Sequence, residues 1–315
     1  MTAEPRRVQD TIAAARLVLV VGIGGGGDVV GALAAAEACR ALGTPAVVGG
    51  ITWERRPVDP LPGPRRLDEV DGATVLHPAV ALAGPDTTGP GGFRFCEADM
   101  AAFLGEPTVL VDPHPGPAAI AAGLDAAAAH LGCDHVLMLD VGGDVLAHGD
   151  EAGLASPLAD ATVLAAAPAM ATPVTGVVFG AGCDGELTPA EVVARLEEVA
   201  AAGGDRGDLP LPAAALDRVE AALETVTTEA SAMALRCARG ETGRVAIRGG
   251  RRTVELTPHG GRLACFDPAV AMRSAARLAQ AVAGAGTLEA AQEILSALGV
   301  RTELDYEREA AAGLA

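Results

Sequence analysis

The chain has 315 residues, half of them apolar but only 2% aromatic, and a net charge of −18. That length supports a large core built from alanine, valine, leucine and glycine, while the acidic balance argues against a nucleic-acid partner, which wants a basic face. The 23 basic residues are all arginine, so a Schiff base, a lysine nucleophile and the P-loop lysine are excluded.

In chain order, the opening "MTAEPRRVQDTIAAARLVLVV" imitates a signal peptide but lacks a small-residue cleavage site. Its apolar run leads straight into glycines, so it reads as the first helix and strand. "RLVLVVGI" (16–23) is a strand, "VVGALAAAEACRAL" (29–42) a helix and "PAVVGGIT" (45–52) the next strand. "ATVLH" (73–77) is a short strand, residues 97–104 are helical, and "PTVLVD" (107–112) is a strand. The alternation continues with a helix at 117–131, a strand at 134–142, a helix at 159–170, a strand at 173–180 and a helix at 189–203. Continuous apolar strands separated by helices predict an α/β fold: a Rossmann-like parallel sheet with helices on both faces.

After residue 205 the pattern changes. "GDRGDLPLP" reads as a turn-rich connector, residues 211–238 as helical, and "GRVAIRGGRRTVEL" (243–256) as a β-hairpin about Gly249-Gly250. Helices at 268–283 and 287–298 follow. The expected organisation is a core over 1–205 carrying the ligand loops, with helices and a hairpin over 206–315 packed on the same domain. No apolar run reaches the roughly 18–20 residues of a membrane span. Six single cysteines, none in a CxxC pair, read as reduced residues of a cytoplasmic protein. Alanine-rich helix faces suggest a homo-oligomer.

Each core strand ends in glycine with acids or arginine, and the carboxyl edge of an open parallel sheet is where ligands bind. In "GIGGGGD", Gly24, Gly25, Gly26 and Gly27 let a strand–helix turn bring backbone N–H groups to an anion, and Asp28 caps the helix or touches ligand. In "TWERRPVDPLPGPRR", Arg55 or Arg65 would clamp the anion; Glu54 would meet a ribose if the ligand were a dinucleotide. In "LDVGGDVLAHGDEAGLASPLADA", Gly142 and Gly143 return Asp144 toward Asp140, a pair suited to a divalent cation (Mg, Mn or Ca) or to acid–base work. Ser156, before Pro157, reads as a helix cap beside the ligand rather than a nucleophile. In "GAGCDGEL", Asp184 and Glu186 join Asp144 as candidate catalytic acids, since Thr188-Pro189 already supplies the helix cap. Cys183 reads as inert, and His77 and His114 as structural.

The segments "GIGGGGDVVGAL", "WERRPVDPLPGPR", "LDVGGDVLAHGDEAGLASPLADA" and "GAGCDGEL", in this order and spacing, resemble domain-of-unknown-function family 1152, found in archaea and some bacteria. The resemblance covers roughly residues 15 to 300. It implies no particular activity, but it treats the four loops as one site. "DVGGD" alone is similar to the strand end of nucleoside hydrolases, where aspartates hold calcium and ribose hydroxyls. The expectation is therefore a hydrolase or group-transfer enzyme for a small anionic substrate: a nucleotide, or a phosphorylated or carboxylated metabolite. Its alternatives are a nicotinamide-dependent oxidoreductase and a non-catalytic metabolite sensor.

Overall fold

The computed structural model describes residues 7–313. Of the basic opening segment, residues 1–6 lie outside the described residues. The first half runs α1 (Val8–Ala14), β1 (Val18–Gly22), α2 (Asp28–Ala41), β2 (Ala46–Ile51), β3 (Thr74–His77), β4 (Val80–Ala83), α3 (Cys96–Leu104), β5 (Thr108–Val111), α4 (Gly116–Leu131) and β6 (His135–Val141). Then come α5 (Pro157–Leu164), β7 (Val174–Phe179), α6 (Pro189–Ala201), β8 (Asp205–Leu209), α7 (Ala213–Leu223) and α8 (Glu229–Ala238). The chain finishes with β9 (Gly243–Ile247), β10 (Arg252–Leu256), β11 (Leu263–Phe266), α9 (Pro268–Arg273), α10 (Arg277–Val282), α11 (Leu288–Ala297) and α12 (Glu303–Ala311).

Nine strands form one sheet in the order β3-β4-β5-β2-β1-β6-β7-β11-β8. The central five, β5 to β7, are parallel, and both edges are antiparallel. The fold is α/β and Rossmann-like. Along β1 the side chains alternate: Leu19 and Val21 pack with α4, α5 and α9–α11, while Val18 and Val20 pack with α1, α2, α7 and α8. Both faces are covered, which is why the core strands read as continuous apolar runs. From β1 the chain crosses through α2 to β2 on one side, whereas β6 lies on the other. The crevice at a parallel sheet's carboxyl edge opens at such a reversal, here between β1 and β6.

The structure departs from the sequence expectations at the edges. Residues 205–209, expected as connector, form edge strand β8, whose charged side chains are of the kind that guards an exposed edge. The strands β4 and β11 and the helix α12 were not expected. The helix expected over 159–170 stops at Leu164, four residues before Pro168, which has no N–H to continue it. Residues 211–238 form two helices, and 268–283 another two. Hairpin β9–β10 pairs only with itself. No helix among the described residues is long and apolar enough to cross a membrane.

Candidate functional site

Six buried acids meet at the β1–β6 reversal. Asp28 opens α2, Asp140 lies in β6, Asp144 follows the β6 turn, Asp160 lies on α5, and Asp184 and Glu186 follow β7. Oxygens of Asp28, Asp140 and Asp160 lie within 4.8 Å of one another, and so do those of Asp144, Asp184 and Glu186. All six residues are at most 9% exposed.

Each acid is held by its own segment. The Oδ2 atom of Asp28 accepts N–H groups from Gly24 (3.0 Å) and Val141 (3.3 Å), tying the glycine turn to the end of β6. Asp28 therefore does not cap α2; the capping position belongs to Gly27, which has no side chain to do so. Gly142 and Gly143 take positive φ angles of 140° and 105°, and the tight turn lets Asp140 Oδ2 accept from Gly143 N (2.8 Å) and Val145 N (3.2 Å). In both aspartates one oxygen is thus fixed by backbone and the other takes no backbone hydrogen bond. Glu186 is held by three donors: Oε2 accepts from Ala155 N and Ser156 N (both 2.7 Å), and Oε1 from Ser156 Oγ (2.6 Å). Ser156 occupies the position capping α5, but its hydroxyl serves Glu186 instead. Thr188 caps α6, so Asp184 and Glu186 are free of that task.

Two oxygens stand out. Oδ1 of Asp160 and Oδ1 of Asp184 are buried with no hydrogen-bond partner among the described residues. A buried acceptor without a donor costs about 1–3 kcal/mol. Burial, reinforced by Asp140 and Asp28, holds Asp160 well above the usual carboxylate range. Burial likewise raises Asp140, with Asp28 and Asp184 adding to it, and Asp144, with Asp160 and Asp140 adding to it. Burial alone pushes Asp28 up to about 7, and burial with Glu186 pushes Asp184 up to about 7. Positive charge at the centre of the cluster would favour the ionised forms of these acids.

The glycine turn is shaped by these acids. A Cβ on Gly24 would lie 2.8 Å from both Asp160 Oδ1 and Asp28 Oδ2, and one on Gly26 would run into the Glu54 carboxylate. The amides of Gly24 and Gly26 are already given to Asp28 and to the Trp53 carbonyl. Two of the four glycine N–H groups expected to face an anion are therefore spent. Gly25 faces the Arg55 guanidinium, and Gly27 abuts Thr228 at the start of α8. Glu54 lies beneath the turn, accepting from Cys96 N (2.5 Å) and Cys96 Sγ (3.3 Å) rather than facing a ribose.

The two candidate arginines part company. Arg65 is buried, paired with Asp59 at 2.8 Å and donating to the Pro62 and Gly63 carbonyls, so it braces its loop and cannot clamp an anion. Arg55 does border the cluster. It stacks on Trp53 at 4.5 Å, donates to Gly24 O (2.8 Å) and pairs with Glu303 and Glu307, both 3.4 Å away. Its charge is matched on the protein side. The sequence reading missed Glu303, whose carboxylate accepts from Leu158 N (3.0 Å) and Ala159 N (2.9 Å) at the start of α5. No local signal could reveal it, since α12 is over 140 residues away in the chain. Glu97, fully buried with neither oxygen bonded, was missed too. Asp160 had a signal: a single acid inside the apolar run "PLADATVL". Arg248 and Arg252, 3.8 and 3.9 Å from Glu186 Oε1, were read only as part of a hairpin.

The remaining candidates are structural. His77 Nδ1 accepts from Ala79 N (3.2 Å), and His114 Nδ1 lies 2.8 Å from Asp112 Oδ1. Cys183 is buried 3.8 Å from Cys237. His148, Asp150 and Glu151 form a third acidic group, but Glu151 is consumed by two backbone N–H groups and Arg195.

A family model described as "Protein of unknown function (DUF1152)" matches residues 19–311, and the chain belongs to this family. No curated protein and no solved structure matches it.

Proposed function

We propose that this DUF1152 chain is a small-molecule enzyme of hydrolytic or group-transfer type, and that its acidic crevice holds a divalent cation (Mg, Mn or Ca) beneath a polar anionic substrate. One observation carries the reading: six buried carboxylates converge at the sheet reversal, and two of their oxygens, on Asp160 and Asp184, have no donor. To the extent that these acids ionise, they repel a bare anion. A cation reconciles the acids with an anionic ligand and supplies the charge that the absence of lysine leaves missing. Asp28, Asp140 and Asp160 are the ligand set this reading favours, because each offers an oxygen that no backbone group occupies. When bound, the ion would polarise the substrate and lower the pKa of water. Asp184, raised to about 7, suits proton transfer near neutral pH; Asp144, raised further by burial and its acid neighbours, stands beside it as a proton donor, and Glu186 holds the loop around Ser156. The substrate is a nucleotide or a phosphorylated or carboxylated metabolite.

The test is metal analysis and mass spectrometry of the purified full chain. Stripped protein is reloaded by dialysis against Mg2+, Mn2+ or Ca2+, and small molecules are released by mild denaturation. The expected result is a stoichiometric divalent ion and a phosphorylated or carboxylated ligand. A protein that takes up none of the three ions, or that releases a dinucleotide without any ion, overturns the reading. Asp144→Asn should then abolish turnover of the released substrate class while the fold is kept.

A further inference from the structure

Arginine is the only side chain in this protein that is fully cationic at neutral pH; there is no lysine. Arg65 is enclosed in its own loop, and Arg55 is matched by Glu303 and Glu307. The two arginines that border the acids from the other side come from the β9–β10 hairpin. That hairpin adds nothing to the main sheet, and its tip reads Arg248-Gly249-Gly250-Arg251-Arg252. We propose that Arg248 and Arg252 form the clamp for a phosphoryl group of the substrate at the mouth of the acidic crevice, an inference that rests on the function proposed above.

Three observations support the clamp. First, the tip is fixed in place. Arg248 N donates to Glu229 Oε2 (2.7 Å), and Arg252 Nη1 donates to Gly185 O (2.9 Å), which seats the hairpin on the loop carrying Asp184 and Glu186. Arg248 is the one non-glycine residue with a positive φ, 52°, among the described residues. A long side chain held in that conformation costs energy that the local fold must offset, and such positions cluster at functional sites.

Second, the two guanidinium groups have donors to spare. Both approach Glu186 Oε1 only as loose ion pairs, at 3.8 and 3.9 Å, outside hydrogen-bond reach, while the hydrogen bonds to that carboxylate come from residues 155 and 156. No side-chain hydrogen bond of Arg248 is present among the described residues. The two side chains keep 40% and 23% of their surface in solvent, so their free N–H groups are open to a ligand.

Third, the charges select the ligand. A guanidinium fork matches phosphate and carboxylate alike. Two forks converging on one place supply two positive charges, which suits a doubly charged phosphoryl group better than a singly charged carboxylate. The substrate's phosphoryl oxygens would then bridge from the hairpin to the cation side of the cluster.

The experiment is calorimetric titration of inorganic phosphate into the full chain, with and without saturating Mg2+, for wild type and for Arg248→Gln/Arg252→Gln. Mg2+ is titrated separately into both. The expected result is at least a tenfold loss of phosphate affinity in the double variant, with Mg2+ affinity within threefold of wild type, and acetate binding at least tenfold weaker than phosphate. Phosphate affinity unchanged in the variant overturns the clamp, and so does a wild type that binds acetate as well as phosphate. Failure of wild type to bind Mg2+ overturns the proposed function instead; the Mg2+-free titration still reads the arginine effect.

Discussion

Replacing Asp160 by Asn tests the centre of the site with the shape nearly unchanged. In the metal-free protein Asp160 is 1% exposed, its Oδ1 has no donor, and burial together with the acids Asp140, Asp28 and Glu303 beside it disfavours its ionised form. Asn removes an ionisable group and brings two N–H donors to those acids. The metal-free variant should therefore melt no lower than wild type. The cation effect should go the other way. An ion at a hundred times its Kd stabilises the folded state by about 2.7 kcal/mol, which raises Tm on the order of 5 °C for a chain of this size. Loss of one of three anionic ligands, weakening binding about a hundredfold, brings the same ion concentration down to its Kd and leaves about 0.4 kcal/mol, or roughly 1 °C. Trp53 reports the transition: it is the sole tryptophan, buried, with Arg55 stacked 4.5 Å from its ring. The assay is thermal unfolding followed by its fluorescence in EDTA and in millimolar Mn2+. The reasoning is refuted by a wild type whose Tm ignores the ion, by a variant that keeps the full shift, or by a metal-free variant melting several degrees lower.

A Gly24→Ala substitution would press a Cβ within 2.8 Å of the Asp160 and Asp28 oxygens, so it should cost about 1–3 kcal/mol and remove the Mn2+ shift in the same melting assay; an unaltered shift would show that the glycine is not shaped by the acids. His135, bonded to Thr175 at 2.9 Å, is lowered by burial from 6.5 to about 4. The unfolded histidine takes up its proton first as pH falls, so this stability is fully present above pH 6.5 and is lost down to about pH 4, amounting to about 3 kcal/mol. Urea midpoints measured from pH 7 to 4.5 should fall less steeply in His135→Gln than in wild type, and parallel slopes would contradict the assignment.

The alternation of strands and helices, the parallel core and the polar loops at its carboxyl edge were all legible in the chain, because each depends on local periodicity: apolar runs of strand length, helical spacing, glycine at turns. The carboxylates Asp140, Asp144, Asp184 and Glu186 could be singled out for the same reason, since they follow strands whose direction the pattern implies. The partnerships could not. Asp28, Asp140 and Asp160 come from three segments, and their shared centre exists only because β6 pairs with β1 on the side away from β2. Arg65 and Arg248 look alike in sequence; one is consumed by Asp59 and three carbonyls, while the other is carried by a hairpin to the rim of the acids. Glu303 reaches α5 from the last helix, β8 completes the sheet from a segment that reads as a turn-rich connector, and β11 from one between the hairpin and the next helix that carries no strand signal. Local propensity acts over a few residues, whereas the energy of a buried charge depends on every group within several ångströms, whatever its place in the chain.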